Sequence, residues 1–70
     1  MELYQLKHFI AVVEAGGFRK AADRIAVTQP AISASIAKLE AELGVQLLDR
    51  RHTQVVPTTE GMHFAEVLCC

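Results

Sequence analysis

The chain has 70 residues, 51% of them hydrophobic and 21% charged, a composition that fits one small globular domain and excludes a disordered chain. Seven Lys+Arg against eight Asp+Glu leave a formal net charge of −1, so bulk electrostatics announces no nucleic-acid partner, and any such affinity has to come from where the charges sit. No apolar run approaches the roughly 18 residues of a membrane span, no signal-peptide pattern opens the chain, and the adjacent pair Cys69 and Cys70 matches neither a disulfide framework nor a zinc spacing.

Leu3, Leu6, Phe9, Ile10 and Val13 fall on one side of a helix that runs to about Glu14 or Ala15, with Lys7, Ala11 and Glu14 off the stripe. His8 also lies off it and reads as a solvated surface histidine. Gly16 and Gly17 end the helix, because glycine takes the left-handed conformation that closes one. Phe18 follows as a core plug. A short helix from about Arg19 to Ala26 comes next, and Ala21, Ala22 and Ile25 give it an apolar face that another helix can cross closely. Arg19 and Lys20 stand at its amino-terminal end, the wrong end for the helix dipole. They read either as solvated surface charges or as groups that await phosphates.

The chain turns at Ala26, Val27 and Thr28. The Thr28 hydroxyl can accept from free N–H groups of the following helix, and Pro30 falls in its first turn, where a missing N–H costs nothing. Ile32, Ile36, Leu39 and Leu43 then recur at steps of four, three and four, one inward stripe of a helix. Thr28, Gln29, Pro30 and Ser33 remain near the exposed tip. Glu40 and Glu42 read as solvated charges that mildly oppose the dipole, and Gly44 caps the helix. Val45, Leu47 and Leu48, then Val55 and Val56, read as a small two-stranded hairpin whose tip holds Asp49, Arg50, Arg51, His52, Thr53 and Gln54. Pro57 closes the hairpin. Thr58 or Thr59 caps a last helix with Glu60 in its first turn, and Phe64, Val67 and Leu68 begin an apolar stripe.

The expected fold is mainly α, a winged helix-turn-helix with a three-helix core, a small two-stranded β wing and the start of a linker helix. Residues 1–57 form the winged domain and 58–70 the beginning of the further helix. In such a plan the second helix of the corner, about 29–43, enters the major groove of DNA while the basic wing, 49–54, reaches the flanking backbone.

The sequence also resembles the amino-terminal DNA-binding domain of the LysR-type transcriptional regulators. The resemblance runs from Leu3 to about Phe64 and rests on LYQLKHFIAVVEAGGF, on KAADRIAVTQPAISASIAKLEAELGVQLLDR and on VVPTTEG. It implies a bacterial transcription factor that reads a partly palindromic operator as a dimer paired through the helix after Thr58. A carboxy-terminal domain that binds a small-molecule effector would follow in such a protein. Position by position, Gln29, Pro30 and Ser33 match the family's contact tip, Thr28 its helix cap, Arg50 the arginine after the recognition helix and first strand, and Ala21 with Ala22 the close-packing pair. Gln29 can present an acceptor and donors to an adenine edge, and Ser33 can serve base or phosphate. Arg50 and Arg51 read as phosphate or minor-groove contacts, or as charges that guard a strand edge.

Three departures stand out. The family carries Arg and Gln just after the contact serine and further basic residues a turn on, where this chain has Ala34, Ser35 and Ala37. Ala34, Ala37 and Ala41 lie opposite the apolar stripe, so the groove-facing side is nearly smooth and only Lys38 keeps a charge there. Ala34 can still offer a methyl contact to thymine. Gly17 stands where a capping serine or threonine is usual, and the wing lacks the usual glycine. The third departure is length, which points to a truncated module with weakened dimer formation.

His8, His52 and His63 are widely spaced, and no nucleophile, base or paired-carboxylate arrangement falls out of the elements. The expectation is therefore a cytoplasmic DNA-binding module, not an enzyme, with no cofactor, no metal and no membrane. Its partner is double-stranded DNA, and a small-molecule effector enters only with a further domain. The competing reading is a protein-interaction module whose smooth alanine face pairs with another chain, or a truncated fragment that forms mixed dimers with full-length regulators.

Overall fold

The computed structural model of the chain describes residues 1–51 and 53–69, the last of them by its backbone. His52 of the hairpin tip and Cys70 of the terminal pair lie outside the described residues. The order is α1 (Leu3–Ala15), α2 (Phe18–Ile25), α3 (Gln29–Leu43), β1 (Leu48–Asp49), β2 (Val56–Pro57) and α4 (Thr59–Cys69). The first three helices pack on one another, and β1 pairs antiparallel with β2, Leu48 opposite Pro57 and Asp49 opposite Val56.

Local chemistry sets the helix ends. Gly16 closes α1 with φ 80°, its N–H donating to the Val12 carbonyl at 2.8 Å, and Gly44 closes α3 in the same way with φ 71°, donating to Glu40 at 2.8 Å. Between α2 and α3 the left-handed residue is Ala26, φ 57°. A non-glycine there costs on the order of 1 kcal/mol, which the corner's packing has to offset. Thr28 Oγ1 then accepts from the Ala31 N–H at 3.3 Å. Thr58 opens α4 through Oγ1, which accepts from the Gly61 N–H at 3.0 Å and donates to the Gln46 carbonyl at 2.6 Å.

Phe9, Val12, Ala21, Ile32, Ile36, Leu39, Leu47 and Leu48 are buried at the centre, with Ala11 and Ala22 beside them. Phe64 of α4 meets Phe9 in a tilted ring contact at 5.7 Å. The α3 stripe lies where its period puts it, with Leu43 only partly covered.

α1 is rotated from its expected setting. Leu3 is 66% exposed and Gln5 fully buried. Gln5 can occupy the interior because its amide is satisfied: Oε1 accepts from the Glu2 N–H at 2.6 Å and Nε2 donates to Glu42 Oε1 at 3.1 Å. Buried polar groups survive when they are paired in this way. Ala11, expected off the stripe, is buried, because its small side chain suits the interface with α2. Ile25, expected to face the core, is exposed, since α2 ends at it. His8 is half-buried rather than solvated; its ring meets Tyr4 edge-on at 5.7 Å, and its buried Nδ1 has no hydrogen-bond partner among the described residues. Phe18 is the first residue of α2 and is only partly covered.

Glu42 is also more than a solvated charge. Its Oε2 lies 2.9 Å from the Met1 ammonium, and its other oxygen holds Gln5. These contacts, the amino-terminal one first, hold its carboxyl below the ordinary value of 4.5.

Candidate nucleic-acid interface

The exposed side of α3 carries Gln29, Pro30, Ser33, Ala34, Ala37, Lys38 and Ala41, with Thr28 exposed just ahead of it. This side is set by the inward pull of Ile32, Ile36 and Leu39, which leaves the residues opposite them in solvent. Ser35 is different. It is 4% exposed and faces inward, so it is no part of the smooth face; its Oγ makes no hydrogen bond among the described residues. The smooth part of the exposed face is thus Ala34, Ala37 and Ala41.

The corner between α2 and α3 brings the start of both helices together. Arg19 and Lys20, at the amino-terminal end of α2, share one open groove with Gln29 and with the wing residues Thr53 and Gln54. Gly17 precedes α2 in an extended conformation and supplies no side-chain cap. Among the described residues no ion pair holds Arg19, Lys20 or Lys38. The groove therefore joins two free cations, an amide side chain that can read a base edge and the polar tip of the wing.

The wing arginines are held by neighbours. Arg51 makes a two-pronged bond to Asp49, Nε to Oδ1 at 3.0 Å and Nη2 to Oδ2 at 2.8 Å, and its own N–H also donates to Oδ1 at 3.0 Å. Asp49 raises the arginine's pKa further above its ordinary value. The Arg51 side chain stays 84% exposed. Arg50 stacks over the Phe18 ring, Cζ 5.0 Å from the centroid, and its Nη2 lies 3.5 Å from Glu40 Oε1. Such stacking favours a guanidinium over an aromatic face.

Glu40 corrects the expectation of a solvated charge. Its side chain is 13% exposed, and Oε2 accepts from the Leu47 N–H at 2.7 Å and the Leu48 N–H at 3.2 Å. One signal in the sequence points that way: Glu40 borders the buried stripe one turn before the Gly44 stop, where the reversing chain passes its backbone amides back along the helix. No helix among the described residues is long and apolar enough to cross a membrane.

Comparison with known proteins extends this geometry. The family model described as bacterial regulatory helix-turn-helix protein, lysR family, matches residues 3–62. The transcriptional regulator BenM of Acinetobacter baylyi is 50% identical over 64 residues, 91% of this chain and 21% of its own length. The regulator TcbR of a Pseudomonas species is 50% identical over 66 residues, 94% of this chain and 22% of its own length. The chain thus spans about a fifth of these relatives. Its fold is that of the BenM DNA-binding domain solved with catB site 1 DNA, TM-score 0.93 at 48% identity over 96% of this chain and 75% of that one. The CbnR DNA-binding domain in its DNA complex gives a TM-score of 0.91 at 49% identity, over 96% of this chain and 77% of that one. With a winged helix-turn-helix in hand and a family match over nearly all its elements, this chain belongs to the lysR family of bacterial regulatory helix-turn-helix proteins.

Proposed function

We propose that this chain is the DNA-binding module of a cytoplasmic transcriptional regulator, and that α3 lies in the major groove of an operator. Gln29, Pro30, Ser33 and Ala34 meet base edges there, with Thr28 fixing where the helix begins. Lys38, Arg19 and Lys20 meet phosphates, and Arg50 and Arg51 bring the wing to the flanking backbone. The observation that carries this reading is the shared groove of Arg19, Lys20, Gln29, Thr53 and Gln54, in a fold that the BenM domain presents to DNA. Residues 1–57 act as the reader. The helix from residue 58 onward pairs two copies, supported by the exposed Met62 and Val67 and by the apolar trough that Leu43, Val45, Leu47, Phe64 and Val67 line. The same trough favours a second reading, mixed dimers with longer members of the family.

A duplex enriched from a random pool, titrated against its scrambled counterpart by mobility shift, tests the proposal. Preference for the enriched duplex is the expected result. Gln29→Ala should cost about 1–3 kcal/mol on that duplex and relax its preference, while Lys20→Ala should weaken both duplexes alike. Equal affinity for both at low salt removes sequence reading, and no binding removes the proposal. Loss of self-association in Val67→Lys, followed by sedimentation, tests the pairing helix.

A further inference from the structure

We infer that Glu40, which need not touch DNA, is a positioning residue for DNA binding: one carboxylate locks the wing to the recognition helix and holds Arg50 in its working place. The inference rests on the DNA-binding reading above. The strands of the wing are two residues each, and Leu48 stands opposite Pro57, which has no N–H to donate. So short a ladder cannot fix the wing's angle by itself. Glu40 supplies what it lacks. Oε2 takes the Leu47 and Leu48 amides, whose residues are buried at the base of the wing. Oε1 faces Arg50 Nη2 at 3.5 Å, and the same guanidinium lies over Phe18, the first residue of α2. A second tie returns the wing to the core, the Val55 N–H donating to the Gly16 carbonyl at 3.0 Å. α3 and the wing thereby meet at one carboxylate, and α2 joins them through the Arg50 guanidinium. Arg50 has five N–H donors, and its side chain is 41% exposed, so donors remain for a phosphate after Glu40 is served.

Glu40→Gln separates the two duties, because a neutral amide still offers a carbonyl oxygen to the Leu47 and Leu48 amides but no charge to Arg50. In the whole chain this variant should melt close to the parent. On the enriched duplex it should bind about tenfold more weakly, the scale of one charge-assisted hydrogen bond. The slope of log affinity against log salt should flatten by about one unit, as for the loss of one phosphate contact. Backbone cleavage by hydroxyl radicals should show protection lost at the flanks only. Adding Arg50→Ala to Glu40→Gln should change the slope no further, since both act through the same guanidinium. Glu40→Ala should in addition speed hydrogen exchange at the Leu47 and Leu48 amides. If the parent chain prefers the enriched duplex while Glu40→Gln keeps its affinity, slope and flanks, the positioning role is overturned and the DNA-binding reading stands. Tighter binding by Glu40→Gln also overturns it, because Glu40 would then compete for Arg50 rather than present it. Failure of the parent to bind overturns both.

Discussion

Gly61→Ala pits helix propensity against packing, and the two predict opposite signs. Gly61 lies in the first turn of α4, where replacing glycine by alanine would by propensity alone stabilise a helix by up to about 1 kcal/mol. The structure forbids the gain. A Cβ at Gly61 would run into the Leu47 carbonyl oxygen and come within 2.9 Å of its carbon, both backbone atoms. The same oxygen accepts from the Thr58 N–H at 3.0 Å, so it has little room to move. α4 must therefore retreat by roughly an ångström to restore ordinary contact distances, and Phe64 retreats with it from Phe9. Overpacking of this kind costs about 1–3 kcal/mol, and a loosened aromatic pair adds about 0.5–1.5. After the propensity gain the net loss is about 2 kcal/mol, or about 10 °C in Tm for a domain of this size. Thermal and urea unfolding followed by circular dichroism measure it. A Tm equal to or above that of the parent would show that α4 does not sit tightly against the base of the wing, and the reasoning would fail.

Ser35→Ala should stabilise the fold by about 0.5–1 kcal/mol, since it removes a buried hydroxyl that has no partner among the described residues and raises helix propensity; a urea midpoint below the parent's would mean that Ser35 is bonded after all. Thr28→Ala should lose about 1 kcal/mol through its cap on Ala31 while Thr28→Ser loses little, again read from urea midpoints. Glu42, held below 4.5 chiefly by the amino-terminal ammonium and then by Gln5, should titrate by NMR with a midpoint under that value. A depressed carboxylate stabilises the fold above its unfolded pKa, so this contribution is complete above about pH 5 and fades as the pH falls through the folded midpoint. Gln5→Ala should move the midpoint back toward 4.5, and an unmoved midpoint would remove Gln5 from the account.

What the sequence made legible was local. Thr28, Pro30, Gly16 and Gly44 act through their own backbone neighbours, and the stripe of Ile32, Ile36 and Leu39 follows from period alone. The exposed tip of Gln29 and Ser33 followed with it. What stayed hidden depends on partners far along the chain. Gln5 reads as a polar residue on an amphipathic helix until Glu42, 37 residues away, satisfies it. Ser35 lies one step from Ile36, and only the packing of the other helices on α3 decides that it is covered. Glu40 looked like surface charge because its partners, Leu47 and Leu48, are backbone amides, and no side-chain pattern marks a free amide. Gly61 carries no mark of its own in the sequence, and the oxygen that forbids a side chain there belongs to another part of the chain.

These hidden contacts change where the proposed grip comes from. On the exposed side of α3 the alanines leave Lys38 as the cation, and Arg51 is committed to Asp49 by two side-chain bonds. Arg50 is held between Glu40 and Phe18. A held arginine gives up less side-chain entropy when it meets a phosphate than a free one does, so a wing with few charges gains from fixing them. Among the described residues no ion pair holds Arg19 or Lys20, but they lie where α2 and α3 open, beside Gln29, and orient with the helix that carries them. Few phosphate contacts make a shallow salt dependence, and in the proposed reading sequence preference then rests on a rigid placement of Gln29 and Ser33 at base edges rather than on charge. That rigidity traces back to the Thr28 cap, the left-handed turn at Ala26 and the Glu40 carboxylate that keeps the wing in step with the helix.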